Sequence, residues 1–182
     1  MSREVYPPSE DTDLLLSVLA RESLAGTRAC EVGSGSGVVS RAMLDAGAMV
    51  VAVDINPEAA AATRMLGVPV LRGDLLSALR RASFDLIVFN APYLPSSDEE
   101  RLPSEIDHAF HGGDEGVEVS ERFVRDLPRV LAPGGRAFLV VSSRANLDRL
   151  ARAVAAAGLR HESVASARFF FEEIFVWRLA GR

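Results

Sequence analysis

The order in which strand-like and helix-like segments follow one another constrains this chain most. "TRACEVG", "MVVAVDI", "VPVL", "FDLIVFN" and "RAFLVVSS" are short, apolar and rich in β-branched or aromatic residues, which predicts buried strands. Between them lie "VVSRAMLDAG", "PEAAAATRMLG" and a segment near 118–131 with helical patterning. Pro57 opens the second of these and Gly47 and Gly67 close the first two, the expected asymmetry of helix ends. Upstream, the segment 9–24 sets Leu14, Leu15, Val18 and Leu19 at helical spacing behind Ser9, Asp11 and Thr12, the candidate caps. Downstream, Pro133, Gly134 and Gly135 predict a turn before "RAFLVVSS", "NLDRLARAVAAAG" predicts a helix, and "HESVASA" and "EEIFVWRL" predict two closing strands. Strand-helix units of about 30 residues predict a doubly wound α/β fold, a mostly parallel sheet with helices on both faces. Ligands of such folds bind beyond the carboxyl ends of the strands. One domain over residues 1–182 is expected from the length, with one long irregular segment at 95–115.

Composition removes several classes of function. All 20 basic residues are arginine and the formal net charge is −5, so a broad phosphate-binding face, and with it a nucleic-acid partner, is not expected. One cysteine, Cys30, and three scattered histidines, His108, His111 and His161, give no metal-ligand spacing. No apolar run approaches the roughly 18 residues that cross a bilayer, and the first residues lack the apolar core of a signal peptide. The expectation is a cytoplasmic protein with no membrane partner.

The motifs sit where such a fold places its ligands. "CEVGSGSGVVS" carries Glu31 at a strand end and then Gly33, Gly35 and Gly37, whose backbone can turn sharply and admit a ligand closely. A dinucleotide fingerprint requires a third glycine where Val38 stands, and an acid so near a pyrophosphate would repel it. A cationic or zwitterionic nucleoside such as S-adenosylmethionine fits better. Asp54 ends the next strand, about 20 residues on, where a carboxylate can accept both ribose hydroxyls; alone it is equally a helix-capping acid beside Asn56 and Pro57. Asp74 and the Leu75 backbone follow the third strand, either as adenine ligands or as surface loop.

"FDLIVFNAPYLP" ends the fourth strand on Asn90, Ala91, Pro92 and Tyr93. The Asn90 side-chain oxygen and the Ala91 carbonyl can accept both hydrogens of one planar NH2 group, Pro92 restricts Ala91 to extended backbone, and Tyr93 can stack on that group. An amide or aryl amine is a feeble nucleophile, so two acceptors holding it in line with an activated methyl favour the transition state. The bland reading is a strand-terminating turn. "HAFHGGDEG" reads as a flexible lid or as solvated loop, and "ARFFFEEIFVW" mainly as sheet and core packing, with a partner surface as the alternative.

"VYPPSEDTDLLLSVL", "CEVGSGSGVVS", "VDINPEA", "GDLL", "FDLIVFNAPYLP", "AFHGGDEGVEVSERF" and "LAPGGRAFLV" resemble, in order and spacing, the short archaeal and eukaryotic branch of the HemK-like release-factor glutamine methyltransferases. The resemblance covers nearly the whole chain and implies a Rossmann-like methyltransferase sheet of seven strands with an antiparallel last strand. It implies S-adenosyl-L-methionine as methyl donor, leaving S-adenosyl-L-homocysteine, and as substrate the glutamine of the Gly-Gly-Gln tip of a class 1 translation termination factor. By match to the family, Thr12, Glu31, Gly33, Gly35, Asp54, Asp74, Leu75 and Asn90 are the cofactor residues, and Asn90, Ala91, Pro92 and Tyr93 the substrate clamp. The same clamp would grip adenine N6 in DNA or RNA, lysine methylation has been proposed within the family, and a scaffold without activity is the reading from another class. Ala91 stands where the family carries proline, Phe110 where tryptophan is usual, and Asp114 and Glu115 replace a more basic pair. Bacterial relatives carry an extra N-terminal helical domain, and the resemblance to the short branch implies that this chain does without it. Eukaryotic members work with a small zinc-binding activator subunit, for which "LGVPVL" is the expected docking stretch.

Overall fold

The computed structural model describes residues 9–93, 115–169 and 171–181. The lead-in before Ser9, the segment 94–114 with His108, Phe110, His111 and Asp114, and Phe170 lie outside the described residues.

In chain order the elements are α1 (Glu10–Leu19), β1 (Arg28–Val32), α2 (Val38–Asp45), β2 (Met49–Asp54), α3 (Pro57–Met65), β3 (Val70–Arg72), β4 (Phe84–Asn90), α4 (Glu118–Val130), β5 (Leu131–Ser142), α5 (Leu147–Ala156), β6 (Leu159–Phe169) and β7 (Glu172–Gly181). They build a seven-stranded sheet in the order β3-β2-β1-β4-β5-β7-β6. The pairs among β1 to β5 are parallel, and β7 runs antiparallel to both of its neighbours. The doubly wound sheet with an antiparallel last strand is thus present, and its winding reverses between β1 and β4, where such sheets open a crevice.

Strand alternation divides the core into two layers. On one face Ile87, Phe89 and Ala91 pack with Phe123, Val124 and Leu127 of α4 and Leu150 and Val154 of α5. On the other, Leu86 and Val88 pack with Leu15 and Val18 of α1 and Val39 and Met43 of α2. Asn90 follows Val88 in that alternation and so faces the layer that holds α1, a placement that decides its partner.

Two expectations are corrected. The first helix stops at Leu19 instead of continuing to Leu24, because the chain turns through Arg21 and Glu22 onto backbone carbonyls of the last helical turn. Pro133, Gly134 and Gly135 lie within β5, not before it: Phe84 pairs with Leu131 and Leu86 with Arg136, so Asp85 of β4 faces residues 132–135 of β5 in a bulge. The aromatic run near the end is divided. Trp177 is buried and stacks on His161 at 4.2 Å, Phe169 and Phe175 are partly buried, and Phe171 is 94% exposed at the β6-β7 turn. That turn lies at the same end of the sheet as Asn90.

Gly37 fixes the seat of α2. Its φ is +79°, and a Cβ there would lie 2.8 Å from Thr63 Cα of α3. Gly37→Ala is therefore expected to cost about 2 kcal/mol through forced separation of backbone and an unfavourable φ. Thermal unfolding checks this, and a melting temperature equal to wild type would contradict it.

Candidate functional site

The carboxyl ends of β1, β2, β3 and β4 bring Glu31, Asp54, Asp74 and Asn90 to one end of the sheet, beside the N-terminal turn of α1. Glu31 is buried, and its Oε2 accepts from the Ser40 backbone N–H at 2.8 Å and from the Ser40 hydroxyl, which pins it to the first turn of α2. Burial pushes the Glu31 carboxyl up from 4.5 to about 8; the Ser40 bonds oppose this and the Asp54 charge adds to it. The folded pKa exceeds the unfolded one, so the stability due to this group is complete below about pH 4.5 and is lost as pH rises through about 8. Glu31→Gln does not titrate. Its melting temperature relative to wild type should therefore climb across that window, and parallel pH curves for the two proteins would contradict the assignment.

The glycine turn is held by backbone and carboxylate together. Gly33 and Gly35 have φ of +65° and +51°, the left-handed region that favours glycine. The Gly33 N–H donates to the Val53 carbonyl at 2.8 Å, and a Cβ on Gly33 would press on the Phe89 ring at 3.3 Å. Asp54, buried, accepts from Gly35 N–H at 2.9 Å through Oδ2 and from Asn56 N–H at 2.8 Å through Oδ1. The cap of α3 is Asn56, whose Oδ1 accepts from Glu58 N–H at 2.9 Å. Asp54 is thus a brace between the glycine turn and the end of β2, and each of its oxygens retains a lone pair for a further donor.

After β3, Asp74 pairs with Arg122 of α4 at 2.5 Å, both side chains about half exposed. Leu75 has φ +48°, rare for a branched residue and a mark of a constrained turn. Arg122 thus occupies one Asp74 oxygen.

At the end of β4, Asn90 Nδ2 donates to Asp11 Oδ2 at 3.0 Å, and the Tyr93 hydroxyl donates to the same oxygen at 3.4 Å. Asn90 Oδ1 is buried and, among the described residues, has no hydrogen-bond partner. An orphaned acceptor of this kind costs free energy unless a ligand supplies a donor. Ala91 is buried next to it, and Pro92 follows. Thr12, buried beside Asp11, donates its hydroxyl to Asp11 Oδ1 at 3.3 Å. Gly116, with φ +70°, packs so closely on the Tyr93 carbonyl oxygen that a Cβ would collide with it. That contact fixes the backbone at Tyr93. Arg149 of α5 ties down the entry to α4 through Glu115 at 2.6 Å, Glu118 at 2.9 Å and Glu121 at 2.7 Å.

Asp11, Ser40 and Gly116 are site residues that the motif reading did not single out as such. A signal for Asp11 was present: it stands four and seven residues before Leu15 and Val18, on the apolar stripe of α1, where an acid is out of place without a partner. Among the described residues no group of His, Cys, Asp and Glu could hold a metal, and no helix is long and apolar enough to cross a membrane.

A family model described as a methyltransferase domain matches residues 30–111. The chain is 35% identical to a chain of Methanocaldococcus jannaschii that carries the name protein N5-glutamine methyltransferase, over 97% of this chain and 93% of that one. It is 40% identical to the methyltransferase HEMK2 of Mus musculus, over 87% and 81%. Among solved structures it superposes on the E. cuniculi Mtq2-Trm112 complex, described as responsible for methylating the eRF1 translation termination factor, with a TM-score of 0.81 and 27% identity, covering 97% of this chain and 98% of that one. With the glycine turn, the buried Glu31 and Asp54 and the strand-end Asn90 together at the carboxyl end of that sheet, the chain belongs to the HEMK2-type protein N5-glutamine methyltransferases, within the class I S-adenosylmethionine-dependent enzymes.

Proposed function

We propose that this protein methylates the side-chain nitrogen of the glutamine in the Gly-Gly-Gln motif of a class 1 translation termination factor. The observation that carries the reading is the buried Asn90 Oδ1, without a partner among the described residues, beside Ala91 at the end of β4. A carboxamide NH2 has two hydrogens; Asn90 Oδ1 takes one and the Ala91 carbonyl the other, so the nitrogen is held with its lone pair free. Pulling on both hydrogens raises electron density at a nitrogen otherwise depleted by delocalisation into its own carbonyl. Tyr93, fixed through Asp11, lies against the flat group.

The cradle fits S-adenosyl-L-methionine. Left-handed glycines at 33 and 35 open the backbone, Asp54 retains acceptor capacity for the ribose, Glu31 suits the amino acid portion, Asp74 and Leu75 are the adenine corner, and Thr12 closes the side toward α1. When bound, that group would supply an electrophilic methyl: the glutamine nitrogen would form the N–CH3 bond as the S–CH3 bond breaks, giving S-adenosyl-L-homocysteine, and the cationic nitrogen would lose one of its protons to solvent. A cation near Glu31 favours its ionised form, so binding below about pH 8 releases a proton. Cofactor affinity should therefore rise more steeply with pH in wild type than in Glu31→Gln, up to about pH 8; identical slopes by calorimetry would contradict this contact.

The edge of the sheet at β3 is the site we assign to a partner subunit. Met65 is 88% exposed and Leu71 42%, with Leu66 beside them, all within or next to the stretch predicted to dock one. The E. cuniculi relative is described as a complex with Trm112. An activator of that type, small and zinc-binding, adds a strand to β3 and covers these residues. Leu71→Arg should abolish co-purification with such a subunit, whereas a monodisperse monomer with full activity would argue against the pairing.

The reading is tested with labelled cofactor and a class 1 release factor, wild type or with the motif glutamine changed to alanine. Label should enter only the wild-type factor, while an oligonucleotide with unpaired adenine stays unlabelled. Equal labelling of both factors, or labelling of the oligonucleotide instead, would overturn it.

A further inference from the structure

The Asn90 amide can occupy two orientations related by a half-turn, and only one leaves the oxygen as the buried atom with no hydrogen-bond partner among the described residues. Its own strand does not choose between them. The chooser is on α1: a carboxylate only accepts hydrogen bonds, so the amide must turn Nδ2 toward Asp11 Oδ2, 3.0 Å away, which sends Oδ1 to the opposite side. Asp11 is itself immobilised. Its Oδ1 accepts from Thr12 N–H at 2.6 Å, Ser9 Oγ at 2.5 Å and Thr12 Oγ1 at 3.3 Å, while Oδ2 also receives the Tyr93 hydroxyl at 3.4 Å. The residue is only 4% exposed, so water does not compete for these bonds.

We propose that Asp11 is a positioning residue for methyl transfer: it selects the Asn90 orientation that offers oxygen to the acceptor nitrogen, and through Tyr93 and Thr12 it aligns the substrate and cofactor sides of the site with one carboxylate. The proposal rests on the glutamine-methylation reading and deepens it. Asp11 also acts electrostatically, since an anion behind the amide polarises it and strengthens the far oxygen as an acceptor. As nitrogen gains positive charge on its way to a fourth bond, that polarised oxygen grips it more tightly than in the ground state. With Asn at position 11, a donor can face either group, and the Asn90 amide is free to turn over.

The test uses the full chain, reads transfer of labelled methyl to a release factor by wild type and the variants, and adds nitrogen-15 NMR of the Asn90 side-chain amide. Asp11→Asn should lower kcat roughly thirtyfold while the dissociation constant for S-adenosylmethionine changes less than about threefold, as expected for loss of a transition-state interaction. Asn90→Asp alone should be as slow, because two carboxylates then face each other. The double exchange D11N/N90D restores a donor opposite an acceptor and still leaves an oxygen toward the pocket; it should exceed either single variant by about tenfold, which a purely structural role of Asp11 would not produce. In the Asn90→Ala background Asp11→Asn should have little further effect. In wild type the Asn90 amide protons should exchange slowly, and in Asp11→Asn they should lose that protection. Turnover of Asp11→Asn within threefold of wild type, or a double exchange no faster than the singles, overturns the proposal. If wild type transfers no methyl to the release factor while amide protection still depends on Asp11, the functional reading fails and the positioning role stands; unchanged protection in Asp11→Asn sinks the positioning role whatever the activity.

Discussion

Asn90→Ala is expected to lower turnover at least about a hundredfold, on the order of 3 kcal/mol of transition-state stabilisation, with cofactor affinity nearly intact. The cause lies in timing. Asn90 Oδ1 is buried without a partner among the described residues, so its desolvation has been met already on folding, and the bond it forms with an acceptor NH2 strengthens as nitrogen becomes cationic. Alanine removes that acceptor while leaving the Ala91 carbonyl with one hydrogen of the two. It also leaves Asp11 Oδ2 with the Tyr93 hydroxyl as its remaining partner of the pair, so the aromatic wall loosens as well. Single-turnover kinetics beside calorimetric cofactor binding separates the two effects. A variant that turns over within a few-fold of wild type would mean that the clamp is misassigned.

Asp54→Ala should act on the opposite side of the site and show the reverse signature. Cofactor affinity is expected to fall roughly a hundredfold, about 3 kcal/mol, because charge-assisted bonds to two ribose hydroxyls are lost. The same substitution frees Gly35 N–H and Asn56 N–H, so the left-handed turn over which the nucleoside would lie loses its brace. Turnover at saturating cofactor should change far less than affinity. A dissociation constant close to wild type would place the nucleoside elsewhere.

These two variants divide the site as the sequence divided it, though not every part was equally legible. The succession of strands and helices along the chain could be anticipated because most buried strands carry a short apolar run with a Gly or Pro close after it. Asp54 left two readings open, acceptor of the ribose hydroxyls or helix-capping acid. The geometry bears on the second: the side-chain cap of α3 is Asn56, while Asp54 accepts from Gly35 and Asn56 N–H. The Pro133-Gly134-Gly135 bulge was read as a turn because those residue types signal a break locally, and nothing local reports that Leu131 already pairs with Phe84. Asp11 was legible only as a helix-start residue, since its bonds to Asn90 and Tyr93 span about 80 positions and depend on which face of the sheet Asn90 takes. Gly116 was hidden for the same reason; its close approach to the Tyr93 carbonyl is a tertiary contact.

The central claim is that two oxygens, on Asn90 and Ala91, bind one flat nitrogen and present it to the methyl of a nucleoside lying on the glycine turn. A crystal structure of the protein with S-adenosyl-L-homocysteine and a Gly-Gly-Gln peptide measures this directly. The account predicts the glutamine nitrogen within hydrogen-bonding distance of both oxygens, on the side of the cofactor sulfur. Glutamine bound away from residue 90, or either oxygen turned from it, would contradict the account.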